Sequence, residues 1–362
     1  MASNKYPFVS VIIPTWRARK VLEQCVESLL AVDYPKDKLE ILLVSQEKLE
    51  SGRDPRIQQI RTGIRVGYTE ARNKGAEKSS GEILAFIDDD CVVPRTWLLK
   101  AVPFFANSGI ALLGGPAVPF QGESFRYRAG GYLLSAPFVT GPVSSRYKTL
   151  SNAFETQGEH LILANTFVRR NAFQDVDGFV IDQAPCEDGY LYFRLREKGH
   201  KLLYAPEVFV WHRAKPIVFP LVSKIFYYAL GRGGLTARNP RASNPAYFIP
   251  SLFFAVFVAL FIFSFFSRVF FYLLAFLMLA YCVANGINAL YAFFKFEKNP
   301  FVPLAFFLAT PLLHLSYGVG VVWGLGGVLA GRAKGRDKNV EQGLGGDCIQ
   351  DGASGREARI DF

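Results

Sequence analysis

Between Tyr247 and Leu329 the chain passes through three long stretches that carry no Asp, Glu, Lys or Arg: Tyr247 to Phe266, Val269 to Phe294 and Val302 to Leu329. As a helix, a stretch of about 20 such residues crosses the hydrocarbon core of a bilayer. The third holds Pro311 and several glycines, which membrane helices tolerate better than soluble ones. A buried helix of a soluble domain can carry one such run. Three in succession, parted only by Ser267-Arg268 and a charged loop from Lys295 to Lys298, point to a membrane part made of helices over residues 246–331.

This explains a tension in the composition. The chain has 362 residues, is 50% hydrophobic and carries a formal net charge of +10. These properties are segregated along it. Residues 1–215 read as a mixed, globular domain, and 332–362 as a polar, glycine-containing tail that is expected to be disordered. Between domain and spans, residues 216–245 combine aromatic and apolar residues with Lys224 and Arg232, as an amphipathic helix at a membrane interface does. A last helix of the soluble domain has the same composition. The start, MASNKYPFVSVIIPT, lacks the features of a cleaved signal peptide, so the first domain is expected in the cytoplasm. Cys25, Cys91, Cys186, Cys282 and Cys348 are odd in number and scattered, which argues against a disulfide framework or a zinc site.

The first 215 residues alternate in type. Phe8 to Pro14 and Leu39 to Val44 read as strands rich in apolar and β-branched residues, and Val21 to Leu30 as a helix. Tyr68 to Ser79 reads as a second helix, closed by Gly81, followed by the strand ILAFI at 83–87. Such β-α-β-α-β order predicts a parallel sheet flanked by helices, an α/β fold. Beyond it, residues 121–150 show no clean period and read as a flexible region. Leu161 to Arg169 and Lys201 to Trp211 read as further strands.

Two acidic clusters stand out. Asp88, Asp89 and Asp90 follow the strand at 83–87, at the end where open α/β sheets bind ligands. Three adjoining carboxylates repel one another, and a divalent cation holding a diphosphate relieves that repulsion; Mg²⁺ is usually held in this way. A solvated acidic turn gives the same sequence. The second cluster, Glu187-Asp188, opens a helix over YLYFRLREKG. Carboxylates there serve as caps favoured by the helix dipole, or as a general base facing the first cluster. Spacing alone does not show that the clusters meet. His212 closes the last strand and is a structural histidine or a neutral imidazole ligand.

Taken together, SVIIPTWRA at 10–18, GYTEARNKG at 67–75, SSGEILAFIDDDC at 79–91 and EDGYLYFRLREKGHKLLYAPEVFVWH at 187–212 resemble the inverting family 2 glycosyltransferases of GT-A fold, in the family's order and over about residues 8–215. The resemblance implies roles. Pro14 and Thr15 lie where the family's first loop touches the base, and Arg72 matches an arginine that helps to hold the nucleotide. Asp88, with Asp89 beside it, falls on the nucleotide-sugar side. Asp90 is implied as ligand of Mg²⁺ or Mn²⁺, and His212 falls where some members supply a further metal ligand. Asp188, with Glu187 beside it, matches the base that activates the acceptor. The family's second strand often ends in Asp-Asp-Gly-Ser; here it ends Val44-Ser45-Gln46-Glu47. Base recognition must then differ, with Ser45 or Gln46 as candidates, and the preference for a UDP-sugar donor is weakened.

The membrane part suits an acceptor held in the bilayer, such as a polyprenyl-linked one, or a glycan, and the basic surface suits anionic membrane lipids. The Gln-x-x-Arg-Trp motif of related polysaccharide synthases is absent, so single transfer is favoured over processive synthesis. Gly231-Arg232-Gly233-Gly234 stands in a comparable place, with Arg232 a candidate phosphate contact at the membrane interface. The expected location is the inner (cytoplasmic) membrane, multi-pass, with the catalytic domain cytoplasmic. Three spans then leave Arg332, Lys334, Arg336 and Lys338 outside, against the preference of basic flanks for the cytoplasm; either that rule is overridden or one run is re-entrant. No nucleic-acid motif is present. The rival readings are a nucleotidyltransferase, which would not explain the Glu-Asp helix or the membrane half, a non-catalytic membrane scaffold that keeps the fold, and a transporter. His314 is the lone ionisable residue of the charge-free runs, besides tyrosines and Cys282, which makes a poor transport path.

Overall fold

The fold was taken from a computed structural model that describes residues 6–16, 20–49 and 54–331. The basic run from Arg332 and the polar tail lie outside the described residues. The chain divides into two compact units: Met1–Pro119 with Leu134–Arg213, and Phe120–Leu133 with Ala214–Phe362.

The first unit begins with β1 (Val9–Pro14), α1 (Lys20–Leu30), β2 (Leu39–Ser45), β3 (Ile57–Arg61), α2 (Tyr68–Lys78), β4 (Ile83–Ile87), β5 (Cys91–Val92), α3 (Trp97–Ala101), β6 (Ile110–Gly114) and β7 (Ala117–Pro119). The chain then contributes α4 (Phe125–Ser135), most of it to the second unit, and returns with α5 (Pro137–Thr140), β8 (Phe154–Glu155), β9 (Asn165–Arg169), α6 (Arg170–Asp175), α7 (Glu187–Glu197), β10 (Lys201–Tyr204) and β11 (Val210–His212). The main sheet has the order β3-β2-β1-β4-β9-β6-β10-β8. β3, β2, β1 and β4 are mutually parallel, as the β-α-β alternation predicts, while β9 runs antiparallel between β4 and β6.

Strand periodicity sorts the core into two layers. Val9, Val11 and Ile13 join one apolar cluster with Ile41, Leu43, Ile83, Ala85 and Ile87, covered by Leu22, Cys25 and Leu29 of α1. Ile12, Leu42, Val44, Leu84 and Phe86 face the other way, against Ala71 and Ala76 of α2, Phe173 of α6 and Leu191, Tyr192 and Leu195 of α7. Both faces of these strands are therefore dry, which is why they read as continuous apolar runs. Each fully buried Ile or Leu contributes roughly 1.5–3 kcal/mol.

Two strand readings need correction. Lys201 to Trp211 is not one strand. Pro206 has no N–H for a ladder, and the chain turns there, with the Val208 N–H donating to the Ala205 carbonyl at 3.1 Å. β10 stays in the main sheet, and β11 joins a second sheet of order β5-β11-β7. In the segment 161–169, strand structure begins only at Asn165, because Leu161–Ala164 turns, with Asn165 N–H bonded to the Ile162 carbonyl at 3.0 Å. The supposed flexible region at 121–150 holds α4, α5 and a 3₁₀ turn over Gly141–Tyr147. Gly130 allows α4 to form where it does: a Cβ there would fall 2.1 Å from the Lys215 carbonyl oxygen.

The second unit contains most of α4, then α8 (Phe219–Arg238), α9 (Ile249–Ser264), α10 (Arg268–Lys295) and α11 (Phe301–Leu329). Three helices, over Pro245–Ser264, Arg268–Lys295 and Phe301–Leu329, are long and apolar enough to cross a membrane. Large apolar side chains such as Phe261, Leu273, Phe276 and Leu279 are exposed on α9 and α10, as lipid-facing residues would be. The residues read as an interfacial segment form α8, which lies along the glycine-rich half of α11. A Cβ at Gly324 would fall 2.1 Å from the Leu230 carbonyl oxygen, and one at Gly233 2.0 Å from that of Val321. Small residues thus bring the two backbones into contact. On α4, Arg128 makes a two-point ion pair with Glu297 (2.8 and 3.2 Å), and Tyr132 stacks on Phe296 at 4.9 Å.

Pro311, inside α11, withholds the N–H that the Phe307 carbonyl would otherwise accept four residues earlier. Asn285 of α10, 1% exposed, donates its Nδ2 to that carbonyl at 2.9 Å. In hydrocarbon no water would replace this bond. Asn285→Leu should lower the melting temperature in detergent, by about 1–2 kcal/mol of stability. Adding Pro311→Ala, which restores the helical N–H, should recover most of the loss. A double variant no more stable than Asn285→Leu alone would refute this account.

Candidate active site

The site grows from the end of β4. The strand delivers Asp88, Asp89 and Asp90 to its C-terminal edge, where the chain turns with Cys91 N–H bonded to the Asp88 carbonyl at 3.2 Å and enters β5. From α2, the buried Arg72 reaches both acidic clusters. Its Nη2 lies 2.7 Å from Asp88 Oδ1, and its Nη1 lies 3.4 Å from Glu187 Oε1. Burial opposes the guanidinium charge, but the Asp88 and Glu187 carboxylates outweigh it and hold Arg72 above its ordinary range. The two clusters therefore meet, joined by one cation. Asp188, next to Glu187 in the first turn of α7, accepts from its neighbour Gly189 N–H at 2.7 Å.

Asp90 and His212 are brought together by the small sheet. In the β5–β11 pairing Cys91 stands opposite His212, so the residue before Cys91 reaches the imidazole: His212 Nε2 lies 3.3 Å from Asp90 Oδ1. Cys91 completes a group whose ligand atoms all lie within 4.8 Å of one another. Burial, then the Asp90 and Asp88 carboxylates, push the Cys91 thiol well up, so it stays a neutral thiol, and its Sγ contacts the Ala164 carbonyl at 3.8 Å. Thiolate sulfur suits softer metals, so for a hard divalent cation the fitting donors of this group are the Asp90 carboxylate and the His212 imidazole. That set leaves most of a hard divalent ion's positions to phosphate and water.

At the β1 edge, Thr15 Oγ1 donates to Asp89 Oδ2 at 2.6 Å. Trp16 stacks on Tyr68 at 4.3 Å, and the Arg65 guanidinium lies 3.8 Å from its ring centroid. Burial, then the Asp89, Asp88 and Asp90 carboxylates, raise the Tyr68 phenol.

Residues 10–177 match the family described as glycosyl transferase family 2. The glycosyltransferase AglE of Haloferax volcanii is 30% identical over 228 residues, which cover 59% of this chain and 69% of that protein. The chain belongs to glycosyl transferase family 2. A further relative is the pre-mycofactocin glycosyltransferase of Mycobacterium tuberculosis, 28% identical over 182 residues, covering 49% of this chain and 37% of that protein. Among solved structures, the mannosyltransferase PcManGT from Pyrobaculum calidifontis, in complex with GDP-Man and Mn²⁺, superposes with a TM-score of 0.53 and 15% identity over 89% of this chain and 87% of its own. That likeness is one of fold, and the main sheet with its flanking helices is of GT-A type.

Within the family 2 frame, the structure joins Asp88, Arg72 and Glu187 in one set of contacts, Thr15 with Asp89 in a second, and Asp90 with His212 in a third. Pro14 ends β1 beside Val44. Ser45 donates its hydroxyl to the Glu47 carbonyl at 2.8 Å and accepts from Gln59 Nε2 at 2.9 Å, so it braces its own loop. Arg232 belongs to the second unit, where its Nη1 donates to Tyr317 Oη at 2.9 Å and its guanidinium lies 4.9 Å from the Tyr247 ring. Sequence reasoning passed over the Trp16–Tyr68–Arg65 stack. The aromatic residues at the mouths of β1 and α2 were the available signal.

Proposed function

We propose that this family 2 glycosyltransferase moves a hexosyl group from a nucleoside diphosphate sugar to a hydroxyl of a lipid-linked or glycan acceptor, with inversion at the anomeric carbon. The observation that carries this reading is the Arg72 bridge, which sets the acidic end of β4 beside the carboxylates that open α7. A donor held at Asp88–Asp90 would present its anomeric carbon toward α7. Asp188 takes the acceptor proton as the acceptor oxygen bonds to that carbon. The bond to the diphosphate breaks, and its electron pair leaves with the phosphate. Asp90 and His212 would hold Mg²⁺ or Mn²⁺, which when bound neutralises charge developing on the diphosphate. The Mn²⁺ and GDP-Man of the Pyrobaculum enzyme support both the ion class and the donor class.

The donor reading is a nucleoside diphosphate hexose, UDP-linked by family resemblance. With Ser45 where the family often has aspartate, a GDP-linked donor competes with it. Helices α9 to α11 are read as a multi-pass anchor, with the catalytic unit on the cytoplasmic side and Arg232 at the headgroup level. Their length and freedom from charge support this. The test is transfer by detergent-solubilised protein with UDP- and GDP-linked hexoses, polyprenyl-phosphate and glycan acceptors, with and without Mn²⁺ or Mg²⁺. Metal-dependent transfer from one donor is expected. Donor binding without turnover on any acceptor would favour a scaffold that has kept the fold.

A further inference from the structure

Helix α2 does more than cover the sheet: it grips the chain that carries Asp188 at two points. Asn73 forms a reciprocal pair with the backbone of Phe179, its Nδ2 donating to the Phe179 carbonyl at 2.8 Å and its Oδ1 accepting the Phe179 N–H at 3.0 Å. One residue earlier on the helix, Arg72 takes Glu187 at 3.4 Å. The segment between these points, 179–187, is the connection that ends at α7. Helix α2 is itself immobilised against the sheet. Gly75 lies so close that a Cβ would fall 2.5 Å from Ile12 Cγ2, and Ala71 and Ala76 are buried beside Val44 and Phe86. The other terminal nitrogen of Arg72 is bound to Asp88, and its Nε is buried with no partner among the described residues. Arg72 is 5% exposed. Both of its forked ends are thus committed to carboxylates inside the protein.

We infer that Arg72 and Asn73 are positioning residues, which clamp the 179–187 connection to α2 and so set Asp188 at a fixed distance from the Asp88–Asp90 edge. Glu187 is then the counter-ion through which Arg72 acts. This inference rests on the proposed role of Asp188, and it departs from the family expectation that the matching arginine holds the nucleotide. The physical reason for such a clamp is geometric. A displacement of about 1 Å at a reacting group can cost about 10²-fold in rate. The connection carries a 3₁₀ turn over Ile181–Gln183, whose bonds are local and do not tie it to the sheet.

The test compares wild type with Asn73→Ala, Glu187→Gln and Arg72→Lys. Three readouts are used: kcat and KM with saturating acceptor, donor affinity by calorimetry, and amide exchange across residues 179–190. Asn73→Ala and Glu187→Gln should each lower kcat by about 10- to 100-fold. Donor affinity should stay within about threefold, and exchange across 179–190 should quicken more than in the rest of the chain. Arg72→Lys keeps the charge but loses the fork, so it should resemble Glu187→Gln. If Arg72 instead gripped the nucleotide, donor affinity would fall in Arg72→Lys with 179–190 exchange unchanged, and that result would overturn the inference. Absence of donor binding by wild type would sink the transferase reading alone, since the exchange readout still decides whether α2 clamps the segment.

Discussion

Asp188→Asn should leave donor binding intact and lower kcat by about 10²- to 10⁴-fold, the range contributed by a positioned general base. The substitution keeps the side chain's shape and the bond from Gly189 N–H, now received by an amide oxygen. It removes the capacity to take a proton. Asp188 sits in the first turn of α7, where the unpaired N–H groups of the helix favour negative charge. It neighbours Glu187, which already has a cation in Arg72. In the proposed mechanism the acceptor proton is therefore assigned to Asp188 and not to Glu187. Calorimetry with the donor and single-turnover transfer, run on the same preparation, check this. Unchanged kcat in Asp188→Asn would end the assignment of the base.

Asp90→Asn should abolish metal-dependent transfer, with a loss on the order of 10³-fold, corresponding to about 4 kcal/mol of charge stabilisation. His212→Gln should weaken Mn²⁺ binding with a smaller loss at saturating metal. Asp90 reaches His212 because β5 and β11 pair in one register, Cys91 opposite His212. A slip by one residue would set Trp211 or Arg213 opposite Cys91 in place of His212. Mn²⁺ binding followed by its paramagnetic resonance signal gives a readout that does not depend on turnover. Chelation should silence wild type reversibly. An undiminished rate in chelator, or normal Mn²⁺ binding by Asp90→Asn, would remove Asp90 from the metal site.

What the sequence by itself determined was local and periodic. The apolar run Ile83–Ile87 with three aspartates behind it became a buried central strand with its acidic edge, because a strand dry on both faces has nowhere to put polar residues. The charge-free runs became α9, α10 and α11, since length and apolarity mark a helix able to cross a membrane without help from neighbours. Glu187 and Asp188 were legible at the start of a helix for the same reason: apolar spacing and a glycine stop mark that helix from within.

Only the tertiary structure decided what met what. Arg72 and Glu187 lie 115 positions apart, and no local pattern encodes their pairing. The second sheet rests on strands of two or three residues, too short to show a period, yet its register places His212 beside Asp90. Residues 121–150 show no clean period, because partners of this stretch lie far along the chain: Arg128 is paired with Glu297, 169 positions away. Asn285 in a charge-free run is explained by Pro311 of the next helix, whose missing N–H leaves a carbonyl to be satisfied. Short-range apolar pattern specifies elements because burial acts residue by residue. The site is specified by long-range pairs, and those exist only once the layers have packed.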